Sequence, residues 1–449
     1  MVNTDLIIIG AGPGGYETAI SAAHEGVQTV LIEASALGGT CLNEGCIPTK
    51  CLCRNAEVLD EVRAAAQFGI TTGEVHFDLA AAMQRKNEVV ETLKTGIRTL
   101  LKSPLVTLVE GRAHFVGPHT VAVGEEQYTA PHIIIATGSE AKRLPVPGAD
   151  CEGVVTAREM LSLEKLPQRL CIIGGGVVGL EFASIFHSFG CEVTVVEYAK
   201  EVLPAFDRDI AKRLRTTLKK RGITFHVGAA VNGIASAEGE YKITFDAGAK
   251  SGEVVADLVL MSVGRAARTE GLDLEAAGIE YNRRGIVVDE NMQTNVEGVY
   301  AVGDVNGLCP LAHAATAQGK YALRHFLGKD NKPHLQLVPA AVFTVPEVAT
   351  AGLTEEAATA AGVEYTTRKA FYRANGKSLA MAATDGIVKL LVDKEQQIIG
   401  AHIMGAHAAD LIHELALAMQ SGTSVTQLSA LIHAHPSLSE IVHDAVAEE

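Results

Sequence analysis

Tryptophan is absent and aromatic side chains make up only 5% of the 449 residues, which argues against a carbohydrate-stacking platform. No apolar run reaches membrane-spanning length. Basic residues are the minority, 38 Lys and Arg against 53 Asp and Glu, for a formal charge of −15. So acidic a chain repels phosphate backbones and anionic lipids, so neither a nucleic-acid nor a membrane partner is expected. Eight cysteines are too few for a secreted disulfide scaffold of this length. The opening Met1-Val2-Asn3-Thr4-Asp5 carries no basic n-region or Arg-rich presequence before Leu6-Ile7-Ile8-Ile9-Gly10. A reducing, cytoplasmic location is therefore expected, where a disulfide is working chemistry rather than a structural staple.

What is present is ordinary for packed domains: 47% apolar and 20% charged residues, in a length that suggests about three domains. Glycine is abundant at 44 residues without a collagen-like period, which directs attention to tight turns and phosphate loops. The strongest organising signal is a repeat. DLIIIGAGPGGYETAISAAHEGVQTVLIE (5–33) is echoed by RLCIIGGGVVGLEFASIFHSFGCEVTVVE (169–197). Each copy reads as an apolar strand, a G-x-G-x-x-G turn, a small-residue helix and a second strand ending in Glu. The interval from first glycine to acid is the same in both, Gly10 to Glu33 and Gly174 to Glu197. A lone G-x-G-x-x-G says little; two in this context predict two dinucleotide sites. Gly10 and Gly174 make the tight turn, Gly12 and Gly176 admit a pyrophosphate, and Gly15 and Gly179 permit close helix packing. Glu33 and Glu197 would accept from ribose hydroxyls. Glu197 would also repel a 2′-phosphate, and Tyr198, Ala199 and Lys200 supply no arginine cluster, which favours NAD over NADP.

Between the repeats, 79–102 reads as an amphipathic helix, followed by short strands from Val106 to Val123 and a buried strand within HIIIATGS (132–139). After the second repeat, strands are expected at 223–227, 241–245 and 254–263, then within NVEGVYAVGDV (295–305). From about 331 the pattern changes to β then α, with helices at 408–421 and 437–447. The chemistry is concentrated in GGTCLNEGCIPTK (38–50). Cys41 and Cys46 form a C-x4-C pair with Gly45 available to bend the backbone between them. This is not a C-x2-C metal hairpin and no second pair matches it, so no metal site is expected. The spacing alone is ambiguous, but the pair directly follows the first dinucleotide unit. Near the C-terminus, HPSLSE places His435 before a proline expected to start a helix, with Glu440 able to turn back onto the imidazole. A carboxylate-paired histidine is a suitable acid/base for a thiol. His433-x-His435 can also be read as half a metal site.

These motifs together resemble the FAD-dependent pyridine nucleotide–disulfide oxidoreductases over essentially the whole chain, and within them the branch that acts on dihydrolipoyl groups. The cysteine box is similar to the family's GGTCLNxGCIPSK, with Thr49 for Ser, and HAHPSLSE to its HAHPTLSE, with Ser437 for Thr. The resemblance implies an α/β architecture with two Rossmann-like dinucleotide-binding domains, one for FAD and one for NAD, plus a C-terminal α+β dimerisation domain. The expected segments are 1–142 and 266–330 for FAD, 143–265 for NAD, and 331–449 for dimerisation. It implies one tightly held, non-covalent FAD per subunit, contacted by Gly10, Gly12, Gly15, Glu33, Gly39, Thr40, Lys50, Ala113, Ala136, Thr137, Gly138, Asp304 and Ala312. The NAD site would comprise Gly174, Gly176, Gly179, Glu197, Val231 and Gly264. Cys41 would be the interchange thiol and Cys46 the flavin-facing thiolate, joined as a disulfide when oxidised. Lys50 would pair with Glu181, while His435 and Glu440 would act on the cysteines of the other subunit of a homodimer. The implied reaction oxidises a protein-bound dihydrolipoyl dithiol with NAD⁺. Its partner would be a separate lipoylated carrier, an E2 acyltransferase or the glycine cleavage H protein.

Two departures qualify the resemblance. The family's GRxPNT appears as Gly264-Arg265-Ala266-Ala267-Arg268-Thr269, and flexible alanines there would weaken NAD⁺ binding. Glu44 stands where the family often has Val, either raising the thiol pKa values or remaining solvated. Rival readings are a glutathione-, mycothiol- or mercuric-reductase-like enzyme, a soluble transhydrogenase, and a flavin-bearing scaffold without catalysis. Glu197 and the CIPTK and HPSLSE forms oppose the glutathione type. The C-terminal AVAEE lacks the paired cysteines of the mercuric type, a transhydrogenase would lack one cysteine, and the intact catalytic set opposes the scaffold.

Overall fold

A computed structural model describes residues 1–237, 239–329 and 335–447. The boundary expected between 330 and 331, and the last two residues of AVAEE, lie outside these described residues. The chain forms two compact units: Met1–Cys51 with Ala80–Lys142 and Gly264–Leu335, and Leu52–Leu79 with Arg143–Val263 and Gln336–Glu449.

The first unit is built on a five-stranded parallel sheet, in the order Val299–Ala301, His132–Ile135, Leu6–Ile9, Thr29–Glu33, Val106–Glu110. Its central strands read as unbroken apolar runs because both faces are covered. The period of two along a strand divides them. Leu6 and Ile8 pack among Ala19, Ala22, Tyr300 and Ala322, on the side of helices Pro13–His24 and Ala312–Phe326. Ile7 and Ile9 join Phe115, Val121 and Tyr128 of a second sheet, ordered Val2–Asn3, Glu126–Thr129, Thr120–Val123, Ala113–Gly117. The two helices approach closely on small residues; a Cβ on Gly319 would lie 2.1 Å from Thr18 Oγ1. Helix Leu79–Leu100 matches the amphipathic stretch read from the sequence.

The second unit repeats the parallel design in the order Val154–Val155, Leu258–Met261, Arg169–Ile173, Glu192–Glu197, Thr224–Val227. An antiparallel meander follows, Ala229–Ala237, Glu240–Ala247 and Lys250–Ala256. The run 254–263, read as one strand, is therefore two strands in different sheets. Asp257 makes the corner: its carboxylate accepts Arg169 N at 2.8 Å and Arg169 Nε at 3.1 Å, and so turns the chain into the parallel sheet. The C-terminal part is a five-stranded antiparallel sheet, Ala340–Val342, Glu347–Gly352, Ile398–Gly405, Ile387–Val392, Thr366–Phe371, packed against helices Ala408–Ser421 and Glu440–Val446. Among the described residues no helix is long and apolar enough to cross a membrane.

All six residues of Ile387–Val392 are buried, Lys389 included. Its ammonium donates to both Asp207 oxygens at 2.7 Å and to Glu355 Oε2 at 2.6 Å. Asp207 also caps helix Arg208–Arg221, accepting from Asp209 N and Ile210 N. Burial pushes the Asp207 carboxyl up, but the Lys389 hydrogen bond and nearby cations outweigh it and hold it below its ordinary 3.8. A depressed carboxyl stabilises the fold above the unfolded pKa, and that contribution is lost as pH falls through the folded value. Lys389→Met keeps the stem but strands two carboxylates. It is expected to cost about 3–5 kcal/mol at neutral pH, read from urea unfolding midpoints.

Candidate functional site

Each glycine turn is fixed by steric contact. Gly10 has φ of +102°, and a Cβ there would lie 2.4 Å from the Ala136 carbonyl oxygen. Gly174 repeats this, with φ of +110° and Ser262 O at 2.4 Å. A Cβ on Gly15 would sit 1.8 Å from Gly10 O, and one on Gly179 2.0 Å from Gly174 O, so only hydrogen fits the third position. The middle glycines face space: Gly176 has nothing within 4 Å of a Cβ, and Gly12 has only Gly39 Cα at 3.9 Å. Both cap their helices without a side-chain cap. An anion at either helix start would therefore meet backbone N–H groups and no side chain, so these residues fit a dinucleotide pyrophosphate. The acids are held alike. Glu33 accepts Ala11 N at 2.7 Å and Ser35 N at 2.8 Å; Glu197 accepts Gly175 N and Ala199 N at 2.5 Å each. Val231 lies at a register shift of strand Ala229–Ala237, in the second unit with Gly174, Gly176, Gly179 and Glu197. Gly264, with φ of +104°, belongs to the first unit.

The cysteine box in the first unit is two helices broken at one residue, Gly39–Glu44 and Cys46–Arg63. A Cβ on Gly45 would lie 3.0 Å from Thr40 O and 3.4 Å from Cys41 Cα. Glycine at the break thus lets the second helix start against the first turn of the first. Both cysteines are thiols, and Cys41 is hydrogen-bonded to Cys46. That bond, followed by burial, pushes the Cys41 thiol well above its ordinary 9.0, while the Lys50 cation pulls the other way. The box rests on the dinucleotide turn, since a Cβ on Gly39 would be 2.7 Å from Gly12 Cα.

Around it, Ala136, Thr137 and Gly138 follow strand His132–Ile135, and Thr137 Oγ1 donates to Arg268 O at 2.8 Å. Ala113 is buried at the start of Ala113–Gly117, Asp304 lies in the turn Gly303–Asn306, and Ala312 begins its helix. The segment expected to be flexible is not. Arg265–Ala267 pairs antiparallel with Ser139–Ala141, and Lys142 N donates to Gly264 O at 3.0 Å. Backbone pairing needs no particular side chain, so alanines serve. Arg265 Nε donates to Ser139 Oγ at 2.7 Å, which donates on to Asp304 Oδ2. Sequence reading missed Arg265 and Ser139. Burial lowers the Arg265 pKa, against the fields of Asp304, Glu44 and Cys46. Glu44 thus has a half-buried guanidinium within electrostatic reach.

In the second unit Glu181 is buried in helix Val177–Ser188 and accepts Phe343 N at 3.0 Å; Lys50 belongs to the first unit. His435 is exposed, and its Nδ1 meets Glu440 Oε1 at 2.9 Å. Glu440 Oε2 accepts Ser437 N at 2.8 Å. That backbone N–H first, and His435 second, hold the Glu440 carboxyl below its ordinary 4.5. The helix expected from Pro436 begins only at Glu440, because residues 436–439 form a loop with a cis His435–Pro436 peptide. Asn375 Nδ2 pins this loop through Ser437 O at 3.0 Å, a contact 62 residues away in sequence that no local pattern announces. Nε2 is the ring nitrogen that Glu440 does not engage. Among the described residues no group of three or more His, Cys, Asp or Glu side chains is placed to hold a metal ion.

Gly45→Val would force the two helices apart and spoil the narrow geometry a disulfide requires. After full reduction, mild oxidation should remove two titratable thiols from the parent. The variant is expected to lose them about an order of magnitude more slowly.

Known proteins resemble the chain along nearly its whole length. Residues 4–319 match the pyridine nucleotide-disulphide oxidoreductase family, and residues 338–446 match the dimerisation domain of the same family. The chain is 41% identical to the mitochondrial dihydrolipoyl dehydrogenase of Pisum sativum, covering 98% of this chain and 90% of that one. It is 40% identical to the dihydrolipoyl dehydrogenase of Bacillus subtilis, covering 98% and 97%. Among solved structures, the HOCl-induced flavoprotein disulfide reductase RclA from Escherichia coli superposes with a TM-score of 0.88 at 32% identity, covering 98% and 99%. With two glycine turns, a thiol pair seated on the first, and matches along nearly its whole length, the chain belongs to the pyridine nucleotide-disulphide oxidoreductases.

Proposed function

We propose that the chain oxidises a protein-bound dihydrolipoyl group to the lipoyl disulfide and passes the electrons to NAD⁺. The contact between Cys41 and Cys46 at the Gly45 break carries this reading, because a dithiol can exchange only with sulfurs already within bonding reach of each other. Full-length likeness of about 40% to dihydrolipoyl dehydrogenases supports the choice of dithiol. Gly10, Gly12, Gly15 and Glu33, with Gly39, Thr40, Lys50, Ala113, Ala136, Thr137, Gly138, Asp304 and Ala312, would hold FAD. Gly174, Gly176, Gly179, Glu197, Val231 and Gly264 would hold NAD. When bound, FAD supplies the two-electron link between a thiol pair and a nicotinamide, which cannot exchange electrons directly.

The protein's own residues perform the sulfur and proton chemistry. His435, oriented by Glu440, takes a proton from one substrate thiol. The resulting thiolate attacks Cys41, breaking the Cys41–Cys46 bond and leaving Cys46 as a thiolate. The second substrate thiol then displaces Cys41 and passes its proton to the departing sulfur, so that Cys41 ends as a thiol, Cys46 as a thiolate and His435 keeps the first proton as the lipoyl disulfide closes. Two electrons have entered the cysteine pair. The raised Cys41 pKa suits the sulfur that ends protonated, and Lys50 favours negative charge at the pair. Lys50 and Glu181 complete the catalytic set of the proposal. The dimerisation domain supports a homodimer. In it, His435 and Glu440 would serve Cys41 and Cys46 of the partner subunit. The substrate arm would come from a lipoylated carrier, either an E2 acyltransferase or a glycine cleavage H protein.

Cys46→Ser is expected to retain yellow, flavin-bound protein while abolishing NADH-dependent lipoamide reduction. His435→Gln should lower the same rate by about 10²–10⁴. Assays with lipoamide, glutathione disulfide and no disulfide acceptor, each with NADH and NADPH, test substrate and coenzyme. Preference for glutathione disulfide or NADPH, or normal turnover by Cys46→Ser, would overturn the reading.

A further inference from the structure

The loop carrying His435 holds a second histidine–carboxylate pair. His433 is nearly buried, its side chain 6% exposed. Its Nε2 meets Glu414 Oε1, on helix Ala408–Ser421, at 2.8 Å, and its Nδ1 meets the Leu431 carbonyl oxygen at 3.2 Å. Both partners are oxygens that accept. Each ring nitrogen must therefore donate, and an imidazole donates from both nitrogens only as the imidazolium. Glu414 balances that charge. The other titratable groups near His433 are His443 of helix Glu440–Val446, with ring centroids 5.3 Å apart, and Glu440, which feels the His433 charge.

We infer that His433 is a positioning residue for the base: a fixed cation, clamped by Glu414, that anchors the His435 loop and helps keep Glu440 ionised. The inference rests on the proposed role of His435. The loop Leu431–Ser439 contains no helix, so its shape depends on side-chain ties. Asn375 holds it after the base, through Ser437 O, and Glu414 holds it before the base, through His433. Glu440 connects His435 to the Ser437 backbone between them. A cation there has a second effect: its field helps hold Glu440, the carboxylate that meets His435, below its ordinary 4.5.

Glu414→Gln removes the balancing charge and lets His433 become neutral. The holoenzyme variant should then show kcat for dihydrolipoamide oxidation reduced about 10- to 100-fold. The acid limb of its kcat/KM profile should move to higher pH, because Glu440 loses a neighbouring cation that helps keep it ionised and able to orient His435. Glu414→Asp, which keeps the anion on a shorter stem, should lower kcat with the acid limb unmoved. NADH-dependent ferricyanide reduction, which needs neither histidine, should stay within about twofold of the parent and so shows each variant to be folded and loaded. If Glu414→Gln does not fold, His433→Gln, which keeps a donor toward Glu414 without the charge, should displace the limb in the same direction. An unmoved limb in the charge-removing variant, or equal displacement in Glu414→Asp, would overturn the inference. Absence of dihydrolipoamide turnover in the parent would instead overturn the proposed function, so the two failures are distinguishable.

Discussion

Two cysteines five residues apart pair by a hydrogen bond in this protein because the helix between them is interrupted. In a continuous α-helix, positions i and i+5 point about 140° apart around the axis. Cys41 and Cys46 would then face different surroundings. The break at Gly45 folds the start of one helix onto the first turn of the other, where a Cβ would lie only 3.0 Å from Thr40 O. The contact of Gly39 with Gly12 sets the same box on the first glycine turn. Sulfur chemistry and dinucleotide binding are therefore coupled through backbone packing that larger residues would disrupt.

The second copy of that turn reproduces the first down to which backbone N–H groups its acid accepts. The copies diverge only beyond the acid. After Glu33 the chain enters the cysteine box; after Glu197 it runs to Asp207, which caps the next helix and is held by Lys389. One supersecondary unit thus serves two purposes, because its phosphate-facing turn is fixed by local sterics while the segment after it is free to change.

At three places a charged side chain depends on a partner that folding brings to it. Lys389 lies in an otherwise apolar strand only because two carboxylates meet it. Arg265 reaches Asp304 through Ser139, and Glu440 divides its two oxygens between His435 and the Ser437 backbone. In the last case one carboxylate oxygen is fixed by the backbone while the other meets the imidazole, so the backbone contact sets the direction of the side-chain pair.

The amino-acid order alone determined the parallel strands, both glycine turns, the thiol pair and the histidine–glutamate pair near the C-terminus. Each is written in a short window where period, steric demand and residue chemistry agree. Tertiary structure decided the rest. Asp257 divides one apolar run between two sheets because Arg169, 88 residues earlier, meets its carboxylate. Arg265–Ala267 is a paired ribbon rather than a flexible insert because Ser139–Ala141 lies beside it. Pro436 does not begin a helix, since the loop is held by Asn375 and Glu440. Local sequence reports which backbone shapes a segment tolerates; which one it adopts here depends on hydrogen-bond partners that only folding brings within reach.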